Sequence, residues 1–246
     1  MWRAPSRLNV EVGRPSQGGP RDLTGNGLGF FPGYPTSSGK ADLDYVETNG
    51  HIQAMPRESL KEPILAAALK VLHQRGFNAT GVQDITEAAG VPKGSFYNHF
   101  ESKEALGIEA LERYWQGALN SLKVLEDKEV APVLRLKAYF HKLNVMARKF
   151  EYRPGCFIGN LGAEMSDQSP AFRKRLAVIF GVWSRAIESC VKEAQADGSM
   201  RRDLDARTIA SFLLNSWEGA VLRSKVDRGP EPLEAFEKVV FTALAR

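Results

Sequence analysis

Along most of this chain, apolar residues recur at the three-and-four spacing of amphipathic helices. The first clear stripe is Ile64, Leu65, Ala68, Leu69 and Leu72, ended by Gly76. Ser59-x-x-Glu62 has the form of a capping box ahead of it, and Pro63 is tolerable only this close to a helix start. Thr80-x-x-Gln83 predicts a second start of the same kind, with Val82, Ile85 and Ala89 facing inward. A short third helix is predicted over Lys93 to Phe100. Ser102 then caps a fourth that carries Leu106, Ile108, Leu111, Tyr114 and Trp115.

Longer amphipathic segments follow. One runs from Val130 to about Phe150, and RPGC (Arg153 to Cys156) breaks it from a short helix near Ile158–Met165. Others run from Pro170 to Gln195, ended by Asp197-Gly198, from Asp205 to Val226, and from Leu233 to Leu244. Strand alternation and repeats of 20 to 50 residues are absent. The pattern predicts an all-α chain, with an N-terminal three-helix unit over residues 55–104 and a larger helical domain over 105–246.

Residues 1–54 are different. Glycines and prolines alternate with no apolar period, so burial there is too small to offset chain entropy, and the segment is expected to be disordered. Arg3, Arg7, Arg14 and Arg21 would suit an arm that touches DNA. The alternative is that translation begins at Met55, just before the first periodic helix.

Composition narrows the class. The 246 residues are 43% hydrophobic and 25% charged, as in ordinary soluble domains, and the net charge of +4 permits a nucleic-acid partner without demanding one. No apolar run approaches the roughly 18 residues of a membrane span, and the N-terminus has no apolar core of a secretory signal. Cys156 and Cys190 are the only cysteines, too few for a disulfide framework. A cytoplasmic protein with no membrane association is expected.

The stretch from Thr80 to Leu106 has the logic of a helix-turn-helix. Ala88 and Ala89 allow a close crossing, Gly90 suits the left-handed turn, Val91 plugs the gap, and Pro92 presets the next helix. Phe96 and Phe100, four apart, should face the core. Lys93, Ser95, Tyr97, Asn98 and His99 are left on or near the outer side. Lys93 and Tyr97 suit phosphates, the Gly94 amide adds a backbone donor, and Asn98 and Ser95 suit base edges. Double-stranded DNA is the expected partner.

These residues resemble the TetR family of bacterial one-component regulators, from about Ser59 to the end of the chain. The likeness is most specific in GVQDITEAAGVPKGSFYNHFESKEAL, preceded by ILAAALKVLHQRGF. The resemblance implies a groove-reading helix at Lys93 to His99, a further contact at Gln83, and a phosphate-anchoring lysine at Lys103. Pro92 stands where many members have a capping Ser or Thr. The resemblance also implies a C-terminal ligand-binding and dimerisation domain, a homodimer built by the last two long helices, and release from an operator by a small-molecule inducer. GCFIGNLGAEMSD, KEAQADGSM and WEGAVLRSKV are similar to a subgroup that includes regulators of electrophile and acrylate-type responses, in which the cysteine matching Cys156 can act as sensor.

Cys156 has two readings. A thiol at a helix start, with Lys225, Arg153 or His141 nearby, would form a reactive thiolate. Free cysteine is more often a small buried apolar residue, and Cys190 is read so. The ligand site is expected to include Cys156, Tyr139, Phe157, Trp183, Trp217 and Lys225, from an aromatic cluster that core packing would also explain. Each buried indole N–H must find a partner. The stripes Ile209-Phe212-Leu213-Ser216-Ala220 and Leu233-Phe236-Val240-Leu244 are assigned to the dimer interface. His73 and His141 are isolated, so neither a metal nor a cofactor is expected. The alternatives are a non-covalent sensor of lipophilic drugs that controls efflux, an enzyme with Cys156 as nucleophile and His141 as base, and a DNA-bound architectural or activating protein without a ligand. No catalytic residue is assigned.

Overall fold

The structure, a computed structural model, describes residues 59–245. The expectations for residues 1–54 and for a start at Met55 lie outside them. Among the described residues the chain is helical: α1 (Lys61–Arg75), α2 (Val82–Ala89), α3 (Lys93–Tyr97), α4 (Lys103–Leu122), α5 (Pro132–Lys149), α6 (Phe157–Met165), α7 (Pro170–Ala196), α8 (Ala206–Asp227) and α9 (Glu231–Leu244). A 3-10 turn, Lys123–Glu126, follows α4, and a lone antiparallel bridge joins Met200 to Ala245.

Local chemistry sets most boundaries. The Ser102, Ser169 and Asp205 side chains accept the amides of Ala105, Phe172 and Thr208 at the starts of α4, α7 and α8. Gly90 ends α2 at φ 68°, where its N–H and that of Val91 return to the Glu87 and Thr86 carbonyls.

Two predicted caps do not form. Leu60 occupies the cap of α1 with no side-chain bond, and Glu62 pairs instead with Arg113 of α4. At α2 the cap is Gly81, whose N–H is accepted by Asp84 at 2.7 Å; the Thr80 hydroxyl donates back to the Gly76 carbonyl. Glu62 has a tertiary partner and Thr80 an upstream one, which spacing alone does not reveal. The third helix is also shorter than predicted: after Tyr97 the amides of His99 and Phe100 both turn back to the Phe96 carbonyl.

The core is continuous from α1 to α9. Phe77, in the turn after α1, meets Phe172 of α7 edge-on at 5.3 Å. Gly107 of α4 makes that possible, since a Cβ there would stand 2.6 Å from the Phe77 ring. Farther along, buried Arg135 of α5 donates to the Leu125 carbonyl and to Glu193 of α7, both at 2.6 Å.

Candidate nucleic-acid interface and ligand cavity

A five-residue helix has little stability of its own. Two rings hold α3: Phe96 is fully buried and Phe100 nearly so, each contributing about 1.5–3 kcal/mol of apolar burial. Their anchoring leaves Lys93, Gly94, Tyr97 and Asn98 exposed, Tyr97 at 60%, with Ser95 and His99 half-buried. Gln83 is exposed on α2 and donates to Glu87 one turn on, at 2.8 Å. Lys103 does something the sequence did not reveal. Its ammonium donates to the Phe77 and Thr80 carbonyls at 3.0 and 2.9 Å and lies 4.3 Å from the Phe77 ring centre. It ties the start of α4 to the α1–α2 turn, with one of its three N–H groups left over.

The short helix α6 joins this head to the rest of the molecule. At its far end the Glu164 carboxylate accepts the amides of Phe77 and Asn78 at 2.7 and 3.3 Å. Near its start, buried His73 of α1 bonds the Gly155 carbonyl at 2.9 Å. Burial lowers the His73 pKa to about 4, so the ring is neutral and donates.

Beside the start of α6 lies a largely apolar cavity of about 70 Å³. Tyr139, Trp183, Trp217 and Cys156 line it, joined by Tyr114, Met146, Phe150, Tyr152, Val221 and Ser224. Trp183 packs between Phe180, stacked at 6.4 Å, and Trp217, edge-on at 5.7 Å. The Trp217 N–H finds its partner, Asn144 Oδ1, at 2.9 Å. The Trp183 N–H does not; it sits beside the Tyr139 hydroxyl without hydrogen-bond geometry. The turn that carries Cys156 is strained, with Glu151 at φ 53° and Tyr152 at φ 58°.

The remaining members of the expected ligand set fall elsewhere. Phe157 is fully buried against His73 and Tyr114, on the head side of α6. Lys225 lies over Gly155, outside the cavity wall. Arg153 pairs with Glu151 on the surface, and His141 pairs with Glu237 away from the sulfur.

Cys156 does cap α6, yet its thiolate reading fails. The residue is 4% exposed, and burial pushes the thiol well above its usual value. The neighbouring charge is the carboxyl of Glu218 on α8, which raises it further against the Gly159 and Ile158 amides. Desolvation and a like charge outweigh the helix start. Glu218 is itself raised to about 7 by burial. Sequence reasoning missed it, although a glutamate amid Leu214, Trp217 and Val221 on one helix face was a readable signal. Cys190 is buried as expected and donates to the Pro132 carbonyl.

The assigned dimer stripes also need correction. Leu233, Phe236, Val240 and Leu244 of α9, and Ile209 and Leu213 of α8, are all buried within the subunit. The outward apolar face of α8 is Phe212, Gly219, Leu222 and Val226; the three side chains are 54%, 62% and 70% exposed. Among the described residues, no helix is long and apolar enough to cross a membrane, and no cluster of His, Cys, Asp and Glu could hold a metal.

Two family models match this sequence. One, described as bacterial regulatory proteins, tetR family, covers residues 64–110. The other, a tetracyclin repressor-like C-terminal domain, covers residues 132–240. The chain is 42% identical to the HTH-type transcriptional repressor DhaR of Mycobacterium sp. (strain GP1), over 77% of this chain and 94% of that protein. It is 34% identical to the transcriptional regulator AcuR of Cereibacter sphaeroides, over 77% and 87%. Among solved structures, the regulatory protein TetR from Rhodobacter sphaeroides aligns with TM-score 0.72 and 32% identity, over 76% of this chain and 100% of that one. The reduced form of E. coli NemR aligns with TM-score 0.68 and 28% identity, over 76% and 98%.

Proposed function

The chain belongs to the TetR family of bacterial regulatory proteins, and from that premise we propose a dimeric repressor that leaves its operator when a small molecule enters the cavity beside Cys156. One observation carries this reading. A single nine-residue helix, α6, has the cavity at its N-cap and the Glu164 grip on the reading head at its other end. That helix is about 13 Å long, so a ligand pressing on one end acts directly on the other.

On the DNA, Lys93 and Tyr97 reach phosphates, the Gly94 amide adds a donor, and Ser95 and Asn98 read base edges, with His99 and Gln83 at the margins. Lys103 gives its remaining N–H to a phosphate while holding the turn. The outward face of α8 pairs two copies, which sets their α3 helices roughly 34–36 Å apart, or at a related spacing, on successive major grooves. Weakening the operator complex 100-fold takes about 2.7 kcal/mol of difference between the two conformations.

The test is operator binding by fluorescence anisotropy with methyl vinyl ketone as the probe. The parent should release DNA, and Cys156→Ser should bind DNA but fail to release it. Release by Cys156→Ser equal to the parent's would assign sensing to the aromatic cavity alone.

A further inference from the structure

A buried indole N–H ordinarily finds an acceptor, and the two indoles on the cavity wall differ in this. Trp217 donates to Asn144 Oδ1 at 2.9 Å. Trp183 of α7, 3% exposed, has no acceptor among the described residues. Its Nε1 edge lies beside the hydroxyl of Tyr139, another wall residue.

Ser224 of α8 is a second unpaired group on the same wall. It is 1% exposed, and a buried serine within a helix can give its proton to the carbonyl four residues back. Ser166 does so toward Gly162 at 2.6 Å, whereas Ser224 makes no such bond. Two unpaired donors, from two different helices, thus stand on the wall of one cavity.

The rest of the wall selects the kind of molecule that suits them. Among the described residues no Lys, Arg, His, Asp or Glu lines it, so a buried carboxylate or ammonium would have no counter-charge there. An indole N–H can only donate and a hydroxyl can donate, so one acceptor with two lone pairs answers both. A carbonyl oxygen is such an acceptor. An alcohol suits the pair less, because its own proton needs Ser224 as acceptor and leaves the serine proton over. The cavity, at about 70 Å³, is about half the roughly 150 Å³ that holds benzene, which allows about three to five non-hydrogen atoms.

We propose that the cavity reversibly binds a short-chain, uncharged ketone whose oxygen accepts from Trp183 Nε1 and the Ser224 hydroxyl while its carbons lie against the aromatic wall. No bond to Cys156 is formed. This rests on the ligand-released reading above and gives it a ligand class and two specificity-determining residues. Because Trp183 belongs to α7 and Ser224 to α8, the bound oxygen ties those helices together on the wall that also carries Cys156, the cap of α6.

The experiment uses the full chain with isotope-labelled tryptophan, read by proton–nitrogen NMR, and acetone as the probe. Isobutene has the same shape without the oxygen, and acetate is the anionic counterpart. The indole signal absent from Trp183→Phe is that of Trp183; in the parent it should move downfield to saturation as acetone is added. The ratio of acetone to isobutene affinity cancels any change in packing. It should fall about three- to ten-fold in Trp183→Phe and in Ser224→Ala, the range of one neutral hydrogen bond. Acetate should bind the parent about ten-fold or more weakly than acetone, since burial leaves its charge unpaired. Circular dichroism and thermal unfolding establish that the variants fold; should Trp183→Phe not fold, Ser224→Ala decides the ratio. A Trp183 signal that does not saturate, an unchanged ratio in the folded variants, or acetate binding as tightly as acetone overturns the proposal. Operator occupancy is read in the same samples. Saturable binding at Trp183 that leaves DNA bound would uphold the ketone site and defeat the release reading, whereas acetone-driven release independent of Trp183 and Ser224 would do the reverse.

Discussion

Glu164 Oε2 accepts the Phe77 amide at 2.7 Å, across 87 residues of sequence. With the Asn78 amide also donated to it, the carboxylate fixes the α1–α2 turn against α6. Glu164→Ala should therefore lower stability by about 1–3 kcal/mol, read by urea unfolding, because it orphans a part-buried donor. It should also weaken ligand-driven release more than it weakens DNA binding. Glu164→Gln keeps an acceptor and should retain most of the stability. An unchanged urea midpoint in Glu164→Ala would mean that water replaces the carboxylate.

Contacts on the reading head should separate by salt dependence. Tyr97→Ala removes an exposed, uncharged group and should weaken binding to all sequences with salt slope and stability unchanged. Lys103→Ala removes a cation, so it should weaken binding to all sequences with a flatter salt slope and also destabilise the fold, since two carbonyls lose their donor. Asn98→Ala should change base preference instead, by about 1–3 kcal/mol at one position of the operator. A systematic binding-site selection with each variant distinguishes these outcomes.

Two buried groups give opposite pH effects. His73 titrates near 6.5 unfolded and about 4 folded, so its contribution is full above 6.5 and is lost as pH falls toward 4. Glu218 moves from 4.5 to about 7, so the folded state holds the proton longer, and stability is lost as pH rises from 4.5 to 7. Each slope is worth up to roughly 3 kcal/mol, and in the shared window they oppose one another. Thermal unfolding of Glu218→Gln should show Tm rising from pH 4.5 to 6.5. His73→Phe should show Tm falling over the same range, and the parent should be flatter than both.

Leu222 is 62% exposed on the outward face of α8, so Leu222→Glu should leave the isolated subunit's fold intact. Light scattering after size exclusion should show a shift from dimer to monomer. Operator affinity should fall with it, because each half-site is then bound alone. A Leu222→Glu dimer as tight as the parent would move the interface off this face.

The head was legible because its signals are local. Gly90, Pro92, Ser102 and the Phe96–Phe100 pair act within one turn of themselves, and each behaves as its sequence position predicts. The two capping boxes misled for a related reason. Ser59 and Glu62 have the right spacing, but Glu62 had Arg113 of α4 available, 51 residues away. On α8, the stripe from Ile209 to Ala220 straddles the boundary between two faces, so Ile209 and Leu213 point inward while Phe212 points out.

The sequence by itself determined the helices, their order and the residues presented by α3, since three-and-four periodicity and caps are set by neighbours in the chain. Tertiary structure alone decided what stands beside Cys156. A helix start with Lys225, Arg153 or His141 nearby left a thiolate open as one of two readings, whereas the fold brings up Glu218, 62 positions away in the chain, through the gap at Gly159 and closes the sulfur from water. Charge and desolvation depend on every group within a few ångströms, whatever its place in the sequence, and so the state of that sulfur became readable only when the helices were packed.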